Sequence, residues 1–408
     1  GGVSPGPAGV GVAALWEAVM GRRCCIGPVT RFDTSDYEVH VAGEIDGFDA
    51  CEHGLTKKEA RRFERFVQYA IVASDEAMAQ AGLDMDAEDA TRVACVFGTG
   101  IGGIDELQSG FSTLAEKGPK RVNPLFIPTM IGNIAAGNLS IRYGLQGECL
   151  NVVTACATGA HCIGSAVRDI RHGYIDAALA GGSEESVSPI CLAGFANLGA
   201  LSKADDPQQA SLPFDVRRSG FVAGEGAGAV VLESLEHAAA RGAQVLAEVT
   251  GFGSTGDAYH MTAPDPTGAG VVRAMRQALA EGGFVPADVG HLNAHGTGTP
   301  ANDATEAHAL LELCGDEAGR AVPVVSVKGA TGHTLGAAGA VEAIVCALSV
   351  MNDCVPPTAG FAEPDPDCPV NVLVEAKTDC PQKVALSNSL GFGGHNACLA
   401  LSPFYERR

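Results

Sequence analysis

The chain alternates short apolar, strand-like runs with helical patterns over nearly its whole length, and this alternation limits its possible folds more than any other feature. Strand-like runs cover 92–98, 175–181, 226–233 and 245–253, and helical patterns separate most of them. Sheets covered by helices produce this alternation. The sequence therefore predicts an α/β protein.

A second round of the same alternation follows residue 245. Its predicted elements are helices over 268–281, 302–314 and 336–351 and strands over 289–294, 323–328, 384–390 and 397–402. We therefore expect two similar halves, 1–245 and 246–408. Only 103–150 lacks a clear strand over a long stretch, and long segments of that kind are usually functional or interface-forming.

Composition excludes several classes of function. A formal net charge of −21 opposes binding to nucleic acid or to an anionic membrane, so an acidic partner would need a local basic patch. No apolar stretch has the length of a membrane span and no secretory leader pattern opens the chain, which predicts a cytoplasmic protein. The 14 cysteines form no CxxC pair and no zinc-type cluster, so we expect reduced thiols and no metal site.

The strongest candidate nucleophile is Cys156, within NVVTACATGAHCIGSAVRDIRHG. Residues 152–155 are predicted to end a strand, and a helix that Gly173 terminates follows them. A cysteine at a helix N-terminus is expected to have a lowered pKa and a nearby N–H for an oxyanion. This segment alone supports a structural and a catalytic cysteine equally, whereas Cys162 is interpreted as a core residue.

Two histidines lie in unusual surroundings. His295 follows a short strand and precedes a Gly/Thr loop, and His333 lies in a Gly-rich turn before a helix of small residues. Neutral imidazoles can donate N–H groups to a developing oxyanion. Lys328 would need a partner if buried, and Glu342 is the candidate. The pair is either a structural ion pair or one that also fixes the histidine geometry.

Four motifs together resemble the β-ketoacyl-acyl carrier protein synthases, in particular the type II elongating enzymes of bacterial fatty acid synthesis. They are TACATG around Cys156, NAHGTGTPAND around His295, KGATGHTLGAAGAVE around His333 and NSLGFGGHN around Phe392. The resemblance covers essentially the whole chain. It implies a thiolase-like fold, with two pseudo-duplicated halves in a five-layered α-β-α-β-α arrangement. It also implies a homodimer with 103–150 near the interface.

The resemblance also implies a reaction. An acyl group carried on Cys156 would condense with malonyl-acyl carrier protein in a decarboxylative Claisen reaction, which elongates the chain by two carbons. The histidines would activate the malonyl thioester, the Lys328–Glu342 pair would organise them, and the N–H groups of Cys156 and Phe392 would form the oxyanion hole. The implied catalytic set is Cys156, His295, His333, Lys328, Phe392 and Glu342.

Substrate contacts follow from the same resemblance. Thr297 and Thr299 would contact the phosphopantetheine arm of the carrier protein, so the enzyme would need no cofactor of its own. Ile101, Phe126 and Phe195 would line or flank the acyl pocket, and Phe392 would act as a gate. The first half would then hold the cysteine and the second half both histidines.

Basic clusters are candidates for docking an acidic carrier protein. Helical spacing places Lys58, Arg61, Arg62 and Arg65 on one face, with Lys57 alongside. Lys117, Lys120 and Arg121 form a second group. A merely solvated helix face remains the alternative.

The sequence departs from the family in two places. It opens at GGVSPGPAG, so we expect the usual first strand to be missing from the sheet. An arginine often found after the pocket phenylalanine is absent, and Lys203 is its candidate replacement. The alternatives are a ketosynthase of a type II polyketide pathway and, from another class, a non-catalytic carrier-binding scaffold. Retention of Cys156, His295, His333 and Lys328 argues against the scaffold.

Overall fold

The computed structural model describes residues 2–3 and 9–405. The strands are β1 Gly2–Val3, β2 Gly27–Pro28, β3 Val41–Ala42, β4 Val93–Gly98, β5 Cys149–Leu150, β6 Ala177–Glu184, β7 Gly226–Glu233, β8 Ala247–Gly256, β9 Val289–Asn293, β10 Pro323–Val325, β11 Asn371–Val372, β12 Val384–Gly391 and β13 His395–Pro403. The α-helices are α1 Val12–Met20, α2 Lys57–Arg62, α3 Arg65–Ala81, α4 Ile104–Lys117, α5 Phe126–Met130, α6 Ile134–Tyr143, α7 Thr158–Arg171, α8 Pro189–Asn197, α9 Leu235–Ala240, α10 Ala269–Gly282, α11 Pro300–Cys314, α12 Asp316–Ala321, α13 Lys328–Thr331 and α14 Ala338–Met351.

The first sheet has the strand order β1-β7-β6-β4-β5. Its central strand, β6, pairs parallel with β4 and antiparallel with β7. Every residue of β6 is buried, because α3 packs on one face of the sheet and α7 on the other. The carboxyl ends of β4 and β6 therefore reach the same edge of the sheet.

The second sheet has the order β11-β10-β9-β12-β13-β8. Parallel pairing joins β9 to β10 and to β12, and a tight antiparallel hairpin joins β12 to β13. That hairpin turns at Gly391–His395, so the predicted glycine loop around Phe392 lies at its tip. The predicted final strands are confirmed as antiparallel neighbours.

Five layers result from the packing of helices on these sheets. Helices α7 and α14 lie between the sheets and contact strands of both, while α3 covers the outer face of the first sheet and α10 that of the second. The central helices can approach closely because their residues are small: a Cβ on Gly339 would lie 2.6 Å from the backbone nitrogen of Ala160. The five-layered α-β-α-β-α prediction is confirmed.

Several predicted element bounds are wrong. A first strand, expected to be missing, is present: Gly2–Val3 pairs antiparallel with β7 over two residue pairs. A strand of two residues is too short for a sequence pattern to show. The strand predicted over 323–328 ends at Val325, because the chain turns into helix α13 at Lys328. Likewise the strand before the nucleophile ends at Leu150, well short of residues 152–155.

The segment 103–150 is largely helical, with α4, α5 and α6 followed by the edge strand β5. No helix in the described part of the chain is long and apolar enough to span a bilayer.

Candidate active site

Cys156 lies in a tight turn between the first sheet and helix α7. The turn Ala155–Ala157 runs directly into Thr158, so the thiol is at the N-terminal end of the helix, as predicted. Ala155 has φ of 50°, an uncommon conformation for a residue with a side chain, and such strain concentrates at functional turns. The backbone thereby presents Cys156 toward the second sheet, where Gly391 approaches the turn.

The thiol of Cys156 is only 8% exposed, and this burial sets its acidity. Burial raises its pKa to about 12, while the Lys328 ammonium and the backbone N–H groups of Phe392 and Cys156 act in the opposite direction. The expectation of a lowered pKa is therefore wrong. A helix N-terminus contributes about 0.3–1 kcal/mol, which is less than the cost of removing a thiolate from water. The backbone N–H groups of Phe392 and Cys156 act on the thiol from nearby, so they are available as donors for an oxyanion that forms beside it.

His295, His333 and Lys328 surround the nucleophile. One ring nitrogen of each histidine and the Cys156 sulfur lie within 4.8 Å of one another. The imidazole rings are 5.1 Å apart at an interplanar angle of 82°. Burial and the nearby Lys328 charge hold the pKa of both histidines well below the ordinary range, so both rings are neutral.

Hydrogen bonds fix the tautomer of both histidines. The Lys328 ammonium lies 3.3 Å from Nδ1 of His295, and the Leu335 N–H donates to Nδ1 of His333 at 3.3 Å. Both Nδ1 atoms must accept, because neither partner can, so each ring carries its proton on Nε2. A metal-binding imidazole needs a bare ligating nitrogen and usually donates through the other one. The trio is therefore arranged as a pair of N–H donors beside a thiol, an arrangement that does not suit a metal.

The predicted Lys328–Glu342 ion pair is confirmed and lies in the protein interior. The ammonium contacts the Glu342 carboxylate directly and donates to the His295 carbonyl oxygen at 2.6 Å. Burial raises the pKa of Glu342 to about 7 although Lys328 lowers it. Both alternatives from the sequence hold together, since this structural pair also holds His295.

Sequence reasoning missed the buried carboxylates that hold the histidine turns. Glu306 accepts the backbone N–H groups of His295 at 2.8 Å and Gly296 at 2.9 Å. Glu184, at the end of β6, accepts the N–H of Gly336 at 3.0 Å. The sequence does offer one indication for Glu306, because it is an acidic residue at a position on the buried face of helix α11. No local pattern distinguishes Glu184 from other acidic residues.

A cavity of about 500 Å³ opens in front of these groups. Its lining includes the predicted residues Cys156, His295, His333, Phe392, Thr297, Thr299, Ile101 and Phe195. Its lining is mainly apolar, and Phe195, Phe221 and His333 form a chain of edge-to-face contacts at 5.4 and 5.3 Å. Phe221 is a lining residue that the sequence did not reveal.

Phe126 is not part of this cavity. It lies on α5 and packs against α4, where a Cβ on Gly110 would be 2.3 Å from its ring. The cavity of this chain therefore does not include Phe126, and its assignment as a residue that lines or flanks the acyl pocket stays a prediction.

The basic groups are exposed, with one exception. Lys57, Lys58, Arg61 and Arg62 lie on α2, Lys117 ends α4, and Lys120 and Arg121 lie in the turn that follows it. Arg65 does not share their face, because the backbone is extended at Phe63 and a new helix begins. Its guanidinium turns inward to Tyr69, at 3.3 Å from the phenol oxygen. Lys203 is exposed and paired with Glu38 at 2.5 Å.

Family models match both halves of the chain. Residues 1–238 match the N-terminal domain of β-ketoacyl synthases, and residues 246–362 match the C-terminal domain. The chain belongs to the β-ketoacyl synthase family. The resemblance inferred from the four motifs is confirmed, and with it the thiolase-like fold.

Curated β-ketoacyl synthases match along almost the entire chain. The 3-oxoacyl-[acyl-carrier-protein] synthase 2 of Staphylococcus aureus strain COL is 46% identical over 398 residues, 98% of this chain and 96% of that protein. The Vibrio harveyi protein of the same name is 43% identical over 401 residues, with the same two coverages.

Solved ketosynthases share the fold. The ishigamide ketosynthase/chain length factor superposes with a TM-score of 0.90 and 33% identity, covering 99% of this chain and 98% of that one. A type II polyketide ketosynthase solved in complex with its acyl-carrier protein, AntDE:AntF, gives 0.90 and 29% with the same coverage.

Proposed function

We propose that this β-ketoacyl synthase is a 3-oxoacyl-[acyl-carrier-protein] synthase that elongates fatty acyl chains. The observation that carries the proposal is that one ring nitrogen of His295 and one of His333 lie within 4.8 Å of the Cys156 sulfur, at the wall of an apolar cavity. Identity of 43–46% to curated enzymes of that name supports the carrier-bound substrate.

In the first half-reaction, the Cys156 sulfur attacks the thioester carbonyl of an acyl-carrier protein. The N–H groups of Phe392 and Cys156 stabilise the tetrahedral oxyanion, because their dipoles are fixed before charge develops. The carrier thiol then leaves with the proton that the Cys156 thiol loses. The acyl chain occupies the apolar cavity between Ile101 and Phe195.

In the second half-reaction, malonyl-carrier protein replaces the first carrier. The Nε2–H groups of His295 and His333 hydrogen-bond to the malonyl thioester oxygen, and the bond to the carboxylate breaks with loss of CO₂. Its electron pair forms the enolate, whose carbon attacks the acyl-Cys156 carbonyl. The Cys156 thiolate leaves, and the 3-oxoacyl product is two carbons longer.

Thr297 and Thr299 lie at the cavity wall with their hydroxyls 2.9 Å apart, and we assign them to the phosphopantetheine arm. The arm belongs to the carrier protein, so the proposed reaction uses no bound cofactor. Exposed lysines and arginines on α2 and after α4 are assigned to carrier docking, since they are local positive groups on a chain of net charge −21. A cytoplasmic location fits a thiol that must stay reduced.

We also propose a homodimer. Strand β5 forms the edge of the first sheet and both of its residues are exposed. Large apolar side chains are exposed nearby along 103–150 and just after it: Phe111, Leu114, Leu125, Ile127, Ile141, Leu150 and Val153. An unpaired edge strand within an apolar surface is characteristic of a subunit interface. Phe126 belongs to this segment, so the dimer would place it at the interface.

The polyketide alternative retains one specific observation, the fold shared with a type II polyketide ketosynthase at 29% identity. Products distinguish the two. Repeated condensation without reduction of the 3-oxo group would support a polyketide enzyme, whereas a single addition to a saturated acyl chain supports fatty acid elongation.

The direct test is intact-protein mass spectrometry with acyl-carrier protein. The wild-type chain should gain the mass of the acyl group, and Cys156→Ala should gain none. Adding malonyl-carrier protein should then release a 3-oxoacyl product. His333→Ala should keep the acyl adduct and lose the product; absence of any adduct on the wild-type protein would overturn the proposal.

A further inference from the structure

Glu184 is a buried carboxylate at the wall of the active-site cavity, and the half-reactions described above give it no role. It ends β6, the central strand of the first sheet. Its side chain is fully enclosed, yet it accepts four hydrogen bonds from two segments of the protein that are far apart in the sequence.

Oxygen Oε1 binds the loop after β4. It accepts the Thr99 hydroxyl at 2.8 Å and the Ile101 N–H at 3.1 Å. Because the side chain of Ile101 lines the cavity, these bonds set the position of one wall of the proposed acyl site.

Oxygen Oε2 joins that loop to the histidine turn. It accepts the Gly100 N–H at 2.8 Å and the Gly336 N–H at 3.0 Å. Gly336 follows Leu335, whose φ of 43° aims its own N–H at Nδ1 of His333. The carboxylate therefore supports the turn that fixes the tautomer of His333.

The space around Glu184 leaves the two segments no room to shift separately. A Cβ on Gly336 would lie 2.4 Å from the Gly100 nitrogen and 2.7 Å from Oε2 of Glu184. A Cβ on Gly100 would also lie 2.7 Å from that oxygen. The backbone of the 99–101 loop therefore packs directly against the backbone at Gly336, and both donate hydrogen bonds to the Glu184 carboxylate.

We propose that Glu184 is a positioning residue that couples the Ile101 wall of the acyl site to the His333 turn. An acyl chain that presses on Ile101 would move the 99–101 loop, and the shared carboxylate would transmit that movement to Gly336 and His333. The proposal rests on the proposed condensing function, since it assigns Glu184 to the step that uses His333.

Two substitutions separate the two ends of this link. Glu184→Ala removes all four acceptor contacts. Glu184→Gln keeps one carbonyl oxygen, which can still accept from the Gly100 and Gly336 N–H groups. Its NH₂ group then faces Thr99 and Ile101. The Thr99 hydroxyl can rotate to accept from this group, so the main loss is the hydrogen bond from the Ile101 N–H. The neighbouring buried carboxylate Glu185, which lies near Arg31, provides the matched control Glu185→Gln.

The experiment measures acylation of Cys156 by mass spectrometry and condensation of pre-acylated enzyme with malonyl-carrier protein, using short and long acyl chains. Thermal unfolding is recorded for each variant. Glu184→Ala should lower condensation about 10- to 100-fold and short-chain acylation by less than about threefold, because unsatisfied donors loosen the His333 turn. Glu184→Gln should change the ratio of long- to short-chain transfer and leave condensation within about threefold.

An equal fall in both half-reactions, or no fall in either, in Glu184→Ala would overturn the coupling. If that variant does not fold, Glu184→Gln decides, and an unchanged long-to-short ratio overturns it. Glu185→Gln should leave the partition between the steps unchanged, and a shift equal to that of the Glu184 variants would also count against the proposal. Failure of the wild-type protein to be acylated would instead refute the proposed function.

Discussion

Two physical effects act on the pKa of Cys156 in opposite directions: burial raises it, whereas the Lys328 charge and nearby backbone N–H groups lower it. The rate at which Cys156 is alkylated measures which effect is larger. With a pKa of about 12, about one thiol in ten thousand is ionised at pH 8, against about one in four for an ordinary cysteine. The more basic thiolate is intrinsically more nucleophilic, by about 40-fold for this difference. We therefore expect iodoacetamide to modify Cys156 about 60-fold more slowly than a free cysteine peptide at pH 8.

The pH dependence gives the stronger test. A thiol whose pKa is raised remains protonated through the working range, so the alkylation rate should rise tenfold per pH unit from 7 to 10 without a plateau. Lys328→Met removes the cation that stabilises the thiolate and should slow alkylation about tenfold or more, whereas Lys328→Arg keeps the charge.

Peptide mapping assigns the label, with Cys162 as the internal control because burial raises its pKa to about 12 as well and, among the described residues, no charged group contributes to its pKa. A plateau below pH 9 would refute the reasoning, since it would mean that the helix N-terminus and the two N–H groups outweigh burial. Equal rates for wild type and Lys328→Met would refute the role given to the lysine.

Three further predictions follow from the geometry. The pKa values of both histidines lie well below the ordinary range, so both stay neutral as pH is lowered. The condensation rate of pre-acylated enzyme should therefore show no fall with a midpoint near pH 6.5; a midpoint there would mean that protonation of a histidine of ordinary pKa stops the reaction. Gly182→Ala should cost about 1–3 kcal/mol in urea unfolding, because its Cβ would lie 2.5 Å from a backbone oxygen, while Gly194→Ala has open space and should be neutral or slightly stabilising; equal midpoints would contradict this. Reversing the charges of Lys58 and Arg62 to Glu should raise KM for carrier protein about tenfold and leave kcat unchanged, and a fall in kcat alone would argue against docking.

The sequence predicted the features that depend on local pattern. Alternating apolar runs gave both sheets, because buried strands and the helices that cover them differ in period. The turn at Cys156 was predictable from a helix pattern that begins just after it. The Lys328–Glu342 pair followed from the rule that a buried charge needs a partner.

Features that depend on contacts distant in the sequence could not be predicted. The acidity of Cys156 depends on burial by residues distant in the sequence, among them Val187, Phe221 and Leu335, which no property of 151–173 reveals. Arg65 does not lie on the basic face, because helix α2 ends at the extended residue Phe63. The sequence pattern does not show this interruption, since the basic residues keep helical spacing from Lys58 to Arg65. The roles of Glu184 and Glu306 become visible only in the folded structure. Glu184 accepts a hydrogen bond from the Gly336 N–H, which is distant in the sequence, and Glu306 accepts one from the His295 N–H, which precedes helix α11.

The glycines where the two halves meet also limit how the molecule can move. Gly182 and Gly228 of the first sheet, with Gly159 and Gly100, contact the backbone of 336–341 with no side chain between them. Such a junction cannot hinge, because even a small rotation would force backbone atoms to overlap. The larger conformational changes of a catalytic cycle that exchanges two carrier proteins must therefore come from peripheral loops such as the Phe392 turn, while Gly100 and Gly336 can shift only together.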